Sequence, residues 1–189
     1  MAGEGGAAPK DVQVKIQVPD DMIRGRFADQ AEVRFRAKAF SHECQICFYA
    51  SALDDAGPDY RYGPVVLLPE NAKRLSTALQ QNLQRYEKRF GPGAPGTAPG
   101  AAGERVALKA PQTSQVERES DPPRLYANLV MVNHRPGEFT IDFIYSPPNP
   151  PFARVVLRVI VVSALARAFG EALEAEVARL EAFLEGERV

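Results

Sequence analysis

The sequence contains little of what identifies most catalytic or membrane proteins. Its 189 residues include two cysteines, two histidines and no tryptophan. Two cysteines in one short stretch exclude a disulfide framework and fit a reducing compartment. No apolar run approaches the roughly 18 residues of a membrane span, and the first ten residues lack the apolar core of a secretory signal. We therefore expect a cytoplasmic protein without a membrane anchor.

The charges of the chain are balanced. The 23 basic and 24 acidic residues give a formal net charge of -1, so no overall field steers the protein toward nucleic acid or an anionic membrane. Any charged site must be local. The apolar fraction of 45% is ordinary for a globular protein.

The chain contains an internal repeat, which is the strongest signal in the sequence. Residues 41–48 (SHECQICF) align with 136–143 (PGEFTIDF), and residues 68–90 align with 162–184. Upstream, residues 27–29 (FAD) correspond to 126–128 (YAN), although the first copy needs about four extra residues after them. The chain is therefore a tandem duplication.

The first repeat is predicted to contain several strands and one helix. Apolar residues alternate at 12–18, with Ile16 on the apolar side, and again at 33–39, which predicts strands with one buried face. Short apolar segments at 44–50 and 65–68 predict two more strands. Proline is favoured at the first helical position, so a helix is predicted to begin at Pro69. Gly91 and Pro92 end it.

The second repeat follows a segment rich in Gly, Pro and Ala, residues 92–124, which predicts a flexible linker. Strands are predicted at 125–132 and 138–145 around a turn at Arg135, Pro136 and Gly137, with a third at 153–162. Ser163 is the predicted N-cap of the last helix. Residues 1–10 are predicted to be a disordered tail, 11–91 the first repeat and 125–186 the second.

Both predicted helices carry an apolar stripe with a spacing of three or four residues. The stripes form the predicted packing interface, which consists of Leu75, Leu79, Leu83, Tyr86, Phe169, Leu173, Val177 and Leu180. A repeat of this size is marginal alone. The predicted fold is therefore α+β, with two repeats of antiparallel strands followed by one long amphipathic helix, packed as a pseudo-twofold intramolecular dimer.

Several of these segments resemble a small prokaryotic family known only as a domain of unknown function. Its pattern reads YAN, EFxxDF, RV, and then PExAKRLxxALxxNLxRYExxFG. The second repeat carries the first three parts, as residues 126–128, 138–143 and 154–155. The first repeat carries the helix, as residues 69–91. The resemblance implies two diverged copies of the family domain, and it implies no activity.

Four residues could in principle bind zinc, namely His42, Cys44, Cys47 and His134. Side chains three apart on a strand point to opposite faces, however, so Cys44 and Cys47 should diverge. A buried structural cysteine is the favoured interpretation. Zinc binding and a redox pair stay open as alternatives.

The sequence has no recognisable catalytic motif. Neither histidine lies in a nucleophile motif, and the glycines do not form a phosphate-binding loop between a strand and a helix. Glu138 and Asp142 would lie about 13 Å apart on one strand face, which favours a solvated strand edge over an acid/base pair. We expect a non-enzyme that needs no cofactor or metal.

A basic row formed by Arg34, Arg36 and Lys38 is the best candidate for a binding site. Arg24 and Arg26 precede it, and Phe40 or Tyr49 could stack on a base. In the second repeat the sequence places Val130, Val132 and His134 at the corresponding positions. The alternative interpretation is an ordinary charged outer face of an amphipathic strand.

These observations favour a non-catalytic binding or assembly module that acts through its helix and sheet faces. Its partner would be a second copy of the chain or another protein. Single-stranded nucleic acid, bound by the basic sheet face of the first repeat, is the alternative hypothesis.

Overall fold

The computed structural model describes residues 15–38, 41–51, 60–91, 123–148 and 152–186. Within them the first repeat contains β1 (Lys15–Gln17), a short 3-10 turn (Asp20–Met22), β2 (Arg26–Ala28), β3 (Gln30–Lys38), β4 (Ser41–Ala50), β5 (Tyr60–Leu67) and α1 (Pro69–Phe90). The second contains β6 (Leu125–Tyr126), β7 (Leu129–Arg135), β8 (Glu138–Tyr145), β9 (Phe152–Val162) and α2 (Ser163–Gly186). The predicted tail and nearly all of the predicted linker lie outside the described residues.

Helix α1 has the predicted bounds. It begins at Pro69 and ends before Gly91, whose positive φ of 82° suits glycine at a helix end. The prediction for Ser163 was wrong. This residue is the first residue of α2, and its buried hydroxyl has no hydrogen-bond partner in the described part of the chain, so it does not cap the helix through its side chain.

The two repeats exchange their first strands. One sheet has the order β3-β4-β5-β6, and the other runs from β7 through β8 to β9, with β1 and β2 both paired to β9. Strand β6 of the second repeat thus completes the sheet of the first repeat, and β1 and β2 of the first repeat complete the sheet of the second. The sequence predicted one continuous strand at 125–132. The chain instead divides there, because Leu125 and Tyr126 pair with β5 while Leu129 onward pairs with β8.

The exchange has the same register in both directions. Phe27 lies opposite Ile160, and Tyr126 lies opposite Val66. Phe27 corresponds to Tyr126 in the repeat alignment, and Val66 corresponds to Ile160. The same two corresponding positions are therefore paired in both exchanges. A pseudo-twofold axis that relates the repeats requires this agreement.

Both repeats also fix the start of their antiparallel strands with one side chain. The carboxylate of Asp29 accepts a hydrogen bond from the Ser51 backbone N–H, with a shortest distance of 3.1 Å. The Asn128 side-chain oxygen accepts the corresponding bond from Ser146 N–H at 2.8 Å. These bonds hold the exchanged strand close to the end of the central strand of its own repeat.

The two helices pack antiparallel to each other. Lys73 forms an ion pair with Glu181, and Arg167 forms one with Glu87. Each pair is the image of the other under the repeat alignment. All four side chains are at least a third exposed, so these pairs contribute little to stability. They report the relative orientation of the helices.

The core lies between the two sheets and the two helices. The Phe48 ring of the first sheet lies 5.8 Å from the Phe143 ring of the second, and 5.3 Å from the Phe169 ring of α2. The core is therefore shared between the repeats, as an intramolecular dimer requires. The fold class predicted from the sequence is confirmed.

Two details of the strands differ from the sequence prediction. Ile16 is 37% exposed, because β1 lies only along the edge of β9 and has no buried face of its own. The four extra residues of the first repeat lengthen one hairpin. Strands β3 and β4 continue to the pair Lys38 and Ser41, whereas β7 and β8 end at Arg135 and Glu138.

Within the described residues, neither helix is long and apolar enough to cross a membrane.

Candidate functional site

The outer face of the first sheet, on the side away from both helices, collects most of the conspicuous polar side chains. Alternate residues of β4 point inward to the core, as Ile46 and Phe48 do, and the residues between them point outward. We call this outer surface the arginine–tyrosine face. It consists of Glu32, Arg34, Arg36, Glu43, Gln45, Cys47, Tyr49, Arg61, Val66, Arg124 and Tyr126.

The predicted basic row lies on this face. Arg34 and Arg36 are exposed, opposite Gln45 and Glu43 of the neighbouring strand. The alternation of β3 gives Lys38 the next position in the row, opposite Ser41. Phe40, the other predicted stacking residue, lies outside the described residues. The structure places Arg34 and Arg36 on the outer face, and their neighbours across the sheet could be known only from the pairing of the strands.

Two further arginines reach the same face from other strands. Arg61 of β5 donates a hydrogen bond from Nη2 to the Cys47 sulfur at 3.4 Å. Arg124, just before β6, lies 3.6 Å from the Glu43 carboxylate. Because β6 belongs to the second repeat, strand exchange brings Arg124 to this face. Four arginines and two glutamates make the described part of the face net positive.

Two tyrosines lie on the face, Tyr49 on the inner strand β4 and Tyr126 on the edge strand β6. The Tyr49 hydroxyl donates to Glu32 Oε2 at 3.1 Å, and Glu32 also pairs with Arg34. Burial, followed by the nearby Cys47 and Glu32, raises the pKa of Tyr49, so its phenol stays protonated at neutral pH. Tyr126 is 53% exposed, and its ring is available for stacking.

The centre of the face is a buried floor between these exposed groups. Glu43, Gln45 and Val66 are 9%, 7% and 3% exposed. The Gln45 side-chain nitrogen is buried and has no hydrogen-bond partner among the described residues. A buried amide donor without an acceptor is energetically costly, and most native amides avoid it. This donor is therefore an unusual feature that calls for a role.

The outer face of the second sheet is different. Large apolar side chains are exposed there, including Phe27, Leu129 and Met131. Beside them, the Arg158 guanidinium binds the Asp142 carboxylate in a bidentate pair, at 2.6 Å and 2.8 Å. Hydrogen bonding to Asp142 raises the pKa of Arg158. Asp142 is only 4% exposed, so the solvated edge predicted for Glu138 and Asp142 was wrong for Asp142.

The prediction that Val130, Val132 and His134 correspond to the basic row was also wrong, by one residue. Val33 lies opposite Ile46, and Val132 lies opposite Ile141. Ile46 and Ile141 correspond in the repeat alignment, so Val33 corresponds to Val132. The residues that correspond to Arg34 and Arg36 are consequently Asn133 and Arg135, on the outer face. A slip of one residue on a strand moves a side chain to the opposite face.

Comparison with known proteins identifies the repeated unit. The model of the family described as "Protein of unknown function (DUF3467)" matches residues 1–92 and again residues 96–184. The chain belongs to this family. No curated protein and no solved structure matches the sequence. The second match begins inside the segment predicted to be the linker.

The two copies of the DUF3467 domain bring Arg24 and Arg26 to a different place from the one predicted. Arg26 belongs to β2, which pairs with β9 of the second sheet, and it lies 3.8 Å from Asp21. Arg24 precedes it in the same segment. Neither arginine extends the basic row, because the exchange carries this segment away from the first sheet.

The four possible zinc ligands of the DUF3467 repeats are not brought together. Cys44 points into the core, where burial raises the pKa of its thiol to about 12, whereas Cys47 points outward to Arg61. The His42 ring contacts Phe183 of α2. Among the described residues no three His, Cys, Asp or Glu side chains are close enough to hold a metal ion. Cys44 is a structural core residue.

His134 lies at the junction of the two DUF3467 domains. Its Nδ1 is 3.2 Å from the Asn82 side-chain oxygen of α1, and its ring lies against those of Tyr86, Phe90 and Phe139. Burial lowers the pKa of His134, and so do the charges of Arg89 and Arg85. The side chain is therefore held neutral in a packed junction.

The helix stripes are used inside the protein. Seven of the eight stripe residues are buried, and Leu83 is partly buried against the same core. The Tyr86 hydroxyl also accepts a hydrogen bond from the Gly137 N–H of the other repeat at 3.0 Å. The stripes hold the two repeats together, so they are not available to a partner while the protein is folded.

Proposed function

We propose that this protein is a non-catalytic binding module whose contact surface is the arginine–tyrosine face, and that its partner is single-stranded nucleic acid. The observation that carries the proposal is the convergence of four arginines and an exposed tyrosine on one sheet face. Arginine contacts to phosphates supply affinity. An exposed aromatic ring supplies stacking.

The proposal favours single strands over duplexes for a physical reason. Stacking on Tyr126 requires a base whose face is free, which a paired duplex does not offer. Among the described residues the face is also a sheet surface, with no protruding helix that could enter a major groove. Because the overall charge is -1, attraction must come from a local positive surface such as this face.

The direct test measures binding of a fluorescently labelled dT12 strand to the full-length chain by anisotropy at low and moderate salt. The key variant reverses the charge of Arg34, Arg36 and Lys38 to Glu. We expect it to abolish binding and to leave the melting temperature nearly unchanged, because exposed charges contribute little to stability. Affinity of the wild type should fall as salt rises, by about 0.7 log units per phosphate contact and per log unit of salt.

A matched control reverses three exposed charges elsewhere. Arg74, Arg85 and Lys88 lie on the exposed side of α1, and their replacement by Glu changes the net charge equally. This control should retain most of the dT12 affinity. Equal loss in both variants would indicate a nonspecific charge effect and contradict the proposal, as would unfolding of the Arg34, Arg36 and Lys38 variant.

A second candidate function is self-association or binding of a protein partner through the outer face of the second sheet. Phe27, Leu129 and Met131 are 51%, 44% and 38% exposed there, and exposed apolar patches commonly mark protein interfaces. The helix stripes cannot serve this purpose because they are buried in the intramolecular dimer.

Light scattering of the full-length chain over a range of concentrations tests this second candidate. Replacement of Leu129 and Met131 by Glu should prevent any concentration-dependent rise in mass. A chain that is monomeric throughout that range would exclude self-association through this face, and the nucleic-acid measurement would be unaffected.

A further inference from the structure

We infer that Gln45 reads the edge of a base, and that the arginine–tyrosine face therefore prefers adenine over thymine. This inference rests on the proposed function, since it concerns the same face. It goes further, because phosphate contacts and stacking carry no sequence information by themselves.

The argument begins with one row of residues across four strands. Arg34 lies opposite Gln45, Gln45 lies opposite Val66, and Val66 lies opposite Tyr126. Side chains directly opposite on neighbouring strands point to the same face, about 5 Å apart. The row therefore places a cation, an amide, an apolar surface and an aromatic ring side by side.

Each member of the row matches one part of a nucleotide. The exposed Arg34 guanidinium suits a phosphate, and the exposed ring of Tyr126 suits the face of a base. Val66 offers an apolar floor between them. Gln45 is then positioned beneath the edge of the base, where hydrogen bonds distinguish one base from another.

The buried Gln45 donor is the independent observation that points to a ligand. The residue is 7% exposed, and its side-chain nitrogen has no acceptor among the described residues. A ligand acceptor would satisfy this group and recover the cost of leaving it unpaired. Arg34, whose side chain is 53% exposed, can move aside without disturbing the core.

The chemistry of the amide selects the base. A glutamine side chain offers a donor and an acceptor side by side, which matches the N6 amino group and N7 of adenine. Thymine presents its carbonyl oxygens and a ring N–H in a different arrangement. A good bidentate pair of this kind corresponds to a preference of about tenfold.

The decisive variant is Gln45→Met, which keeps the length of the side chain and removes the amide. The full-length chain and this variant are titrated with labelled dA12 and dT12. We expect the wild type to bind dA12 about tenfold more tightly than dT12, and the variant to bind the two strands with equal affinity. Comparing one pair of strands between two proteins cancels differences in the stacking of the free strands.

Two further measurements complete the test. Gln45→Met should fold with an equal or higher melting temperature, because the variant removes an unpaired buried donor. Thr140 is the corresponding residue of the second sheet, and Thr140→Val should leave the ratio of the two affinities unchanged.

The outcomes separate this inference from the proposed function. Equal binding of dA12 and dT12 by the wild type, or a preference that persists in Gln45→Met, overturns base reading while the binding proposal stands. Failure of the wild type to bind either strand overturns both. A preference that is lost only in Gln45→Met supports the inference.

Discussion

The two repeats make matching contacts with each other, and the outer faces of their sheets differ. The exchanged strands have matching registers, the ion pairs between the helices are images of each other, and Asp29 and Asn128 make the same hydrogen bond. On the outside, one sheet presents arginines and tyrosines and the other presents apolar residues beside the Arg158 and Asp142 pair. Residues at the contacts between the repeats must fit each other, so few substitutions are tolerated there. Residues on the outer sheet faces have no such requirement, so the two faces can have different functions.

The largest expected effect comes from separating the repeats. Residues 1–92 and 123–189, produced as separate chains, should each fail to fold as a monomer, because each sheet would lose the strand that the other repeat supplies. Circular dichroism and light scattering of each fragment, alone and mixed, provide the measurement. Mixing should restore a cooperative unfolding transition.

Cleavage of the intact chain between Gly91 and Pro123 is the matching control. The two fragments should stay associated during size-exclusion chromatography, because the exchanged strands and the shared core join residues on both sides of the cleavage. A monomeric fragment that unfolds cooperatively on its own would show that the exchange is not required for folding.

The next effect concerns the shared core. Leu79 and Leu173 are equivalent residues, and both are completely buried. Replacement of either by Ala should lower the free energy of unfolding by about 2 to 5 kcal/mol. Chemical denaturation measures both values. Losses below about half a kcal/mol at both positions would contradict the assigned core, and strongly unequal losses would contradict the equivalence of the repeats.

Features that depend on local pattern could be predicted from the sequence. The bounds of α1 follow from Pro69, Gly91 and the spacing of apolar residues, and the same spacing identifies Leu79 and Leu173 as core positions. The exchange could not be predicted, because β6 has two residues and its partner β5 is distant in sequence. Such a short parallel pairing leaves no periodic signal.

The candidate site was predictable only in part for the same reason. Alternation along β3 identifies Arg34 and Arg36 as outward-facing residues. Arg124 and Tyr126 join them only because the second repeat donates a strand to the first sheet. The burial of Gln45 also depends on its neighbours across the sheet, so nothing in its own segment indicates it.

The contributions of the two outer faces to stability can be compared at Asp142 and at the corresponding residue, Cys47. Asp142→Ala should cost about 1 to 3 kcal/mol, because it removes charge-assisted hydrogen bonds and leaves Arg158 partly buried without its partner. Cys47→Ala should cost less than about 1 kcal/mol, since only a small apolar area is lost. Denaturation of both variants gives the comparison.

A double variant sharpens this prediction. Asp142→Ala with Arg158→Met should be more stable than Asp142→Ala alone, because the unpaired cation is removed as well. If the double variant is the less stable of the two, the guanidinium contributes mainly through packing of its stem.

The smallest expected effect is a pH dependence confined to the second repeat. His134 corresponds to Phe35, so this position carries a titratable ring in the second repeat and a phenyl ring in the first. Burial and the charges of Arg89 and Arg85 lower the pKa of folded His134 below its ordinary value of 6.5. The unfolded chain then binds protons more readily between the two pKa values. Stability should accordingly be complete above pH 6.5 and decrease as the pH falls through the lowered pKa.

The variant His134→Phe gives the second repeat the side chain that Phe35 has in the first. It tests whether His134 causes the pH dependence. The variant should lose the part of the acid-dependent decrease that His134 causes, because no group at that position can take up a proton. The measurement is the melting temperature from about pH 7.5 to 5, the range in which an unperturbed histidine titrates. The aromatic rings of Tyr86, Phe90 and Phe139 can accommodate a phenyl group, so the variant should remain folded at neutral pH. An unchanged pH profile would mean that His134 titrates alike in the folded and unfolded chains, and that the difference between the junctions has no electrostatic consequence.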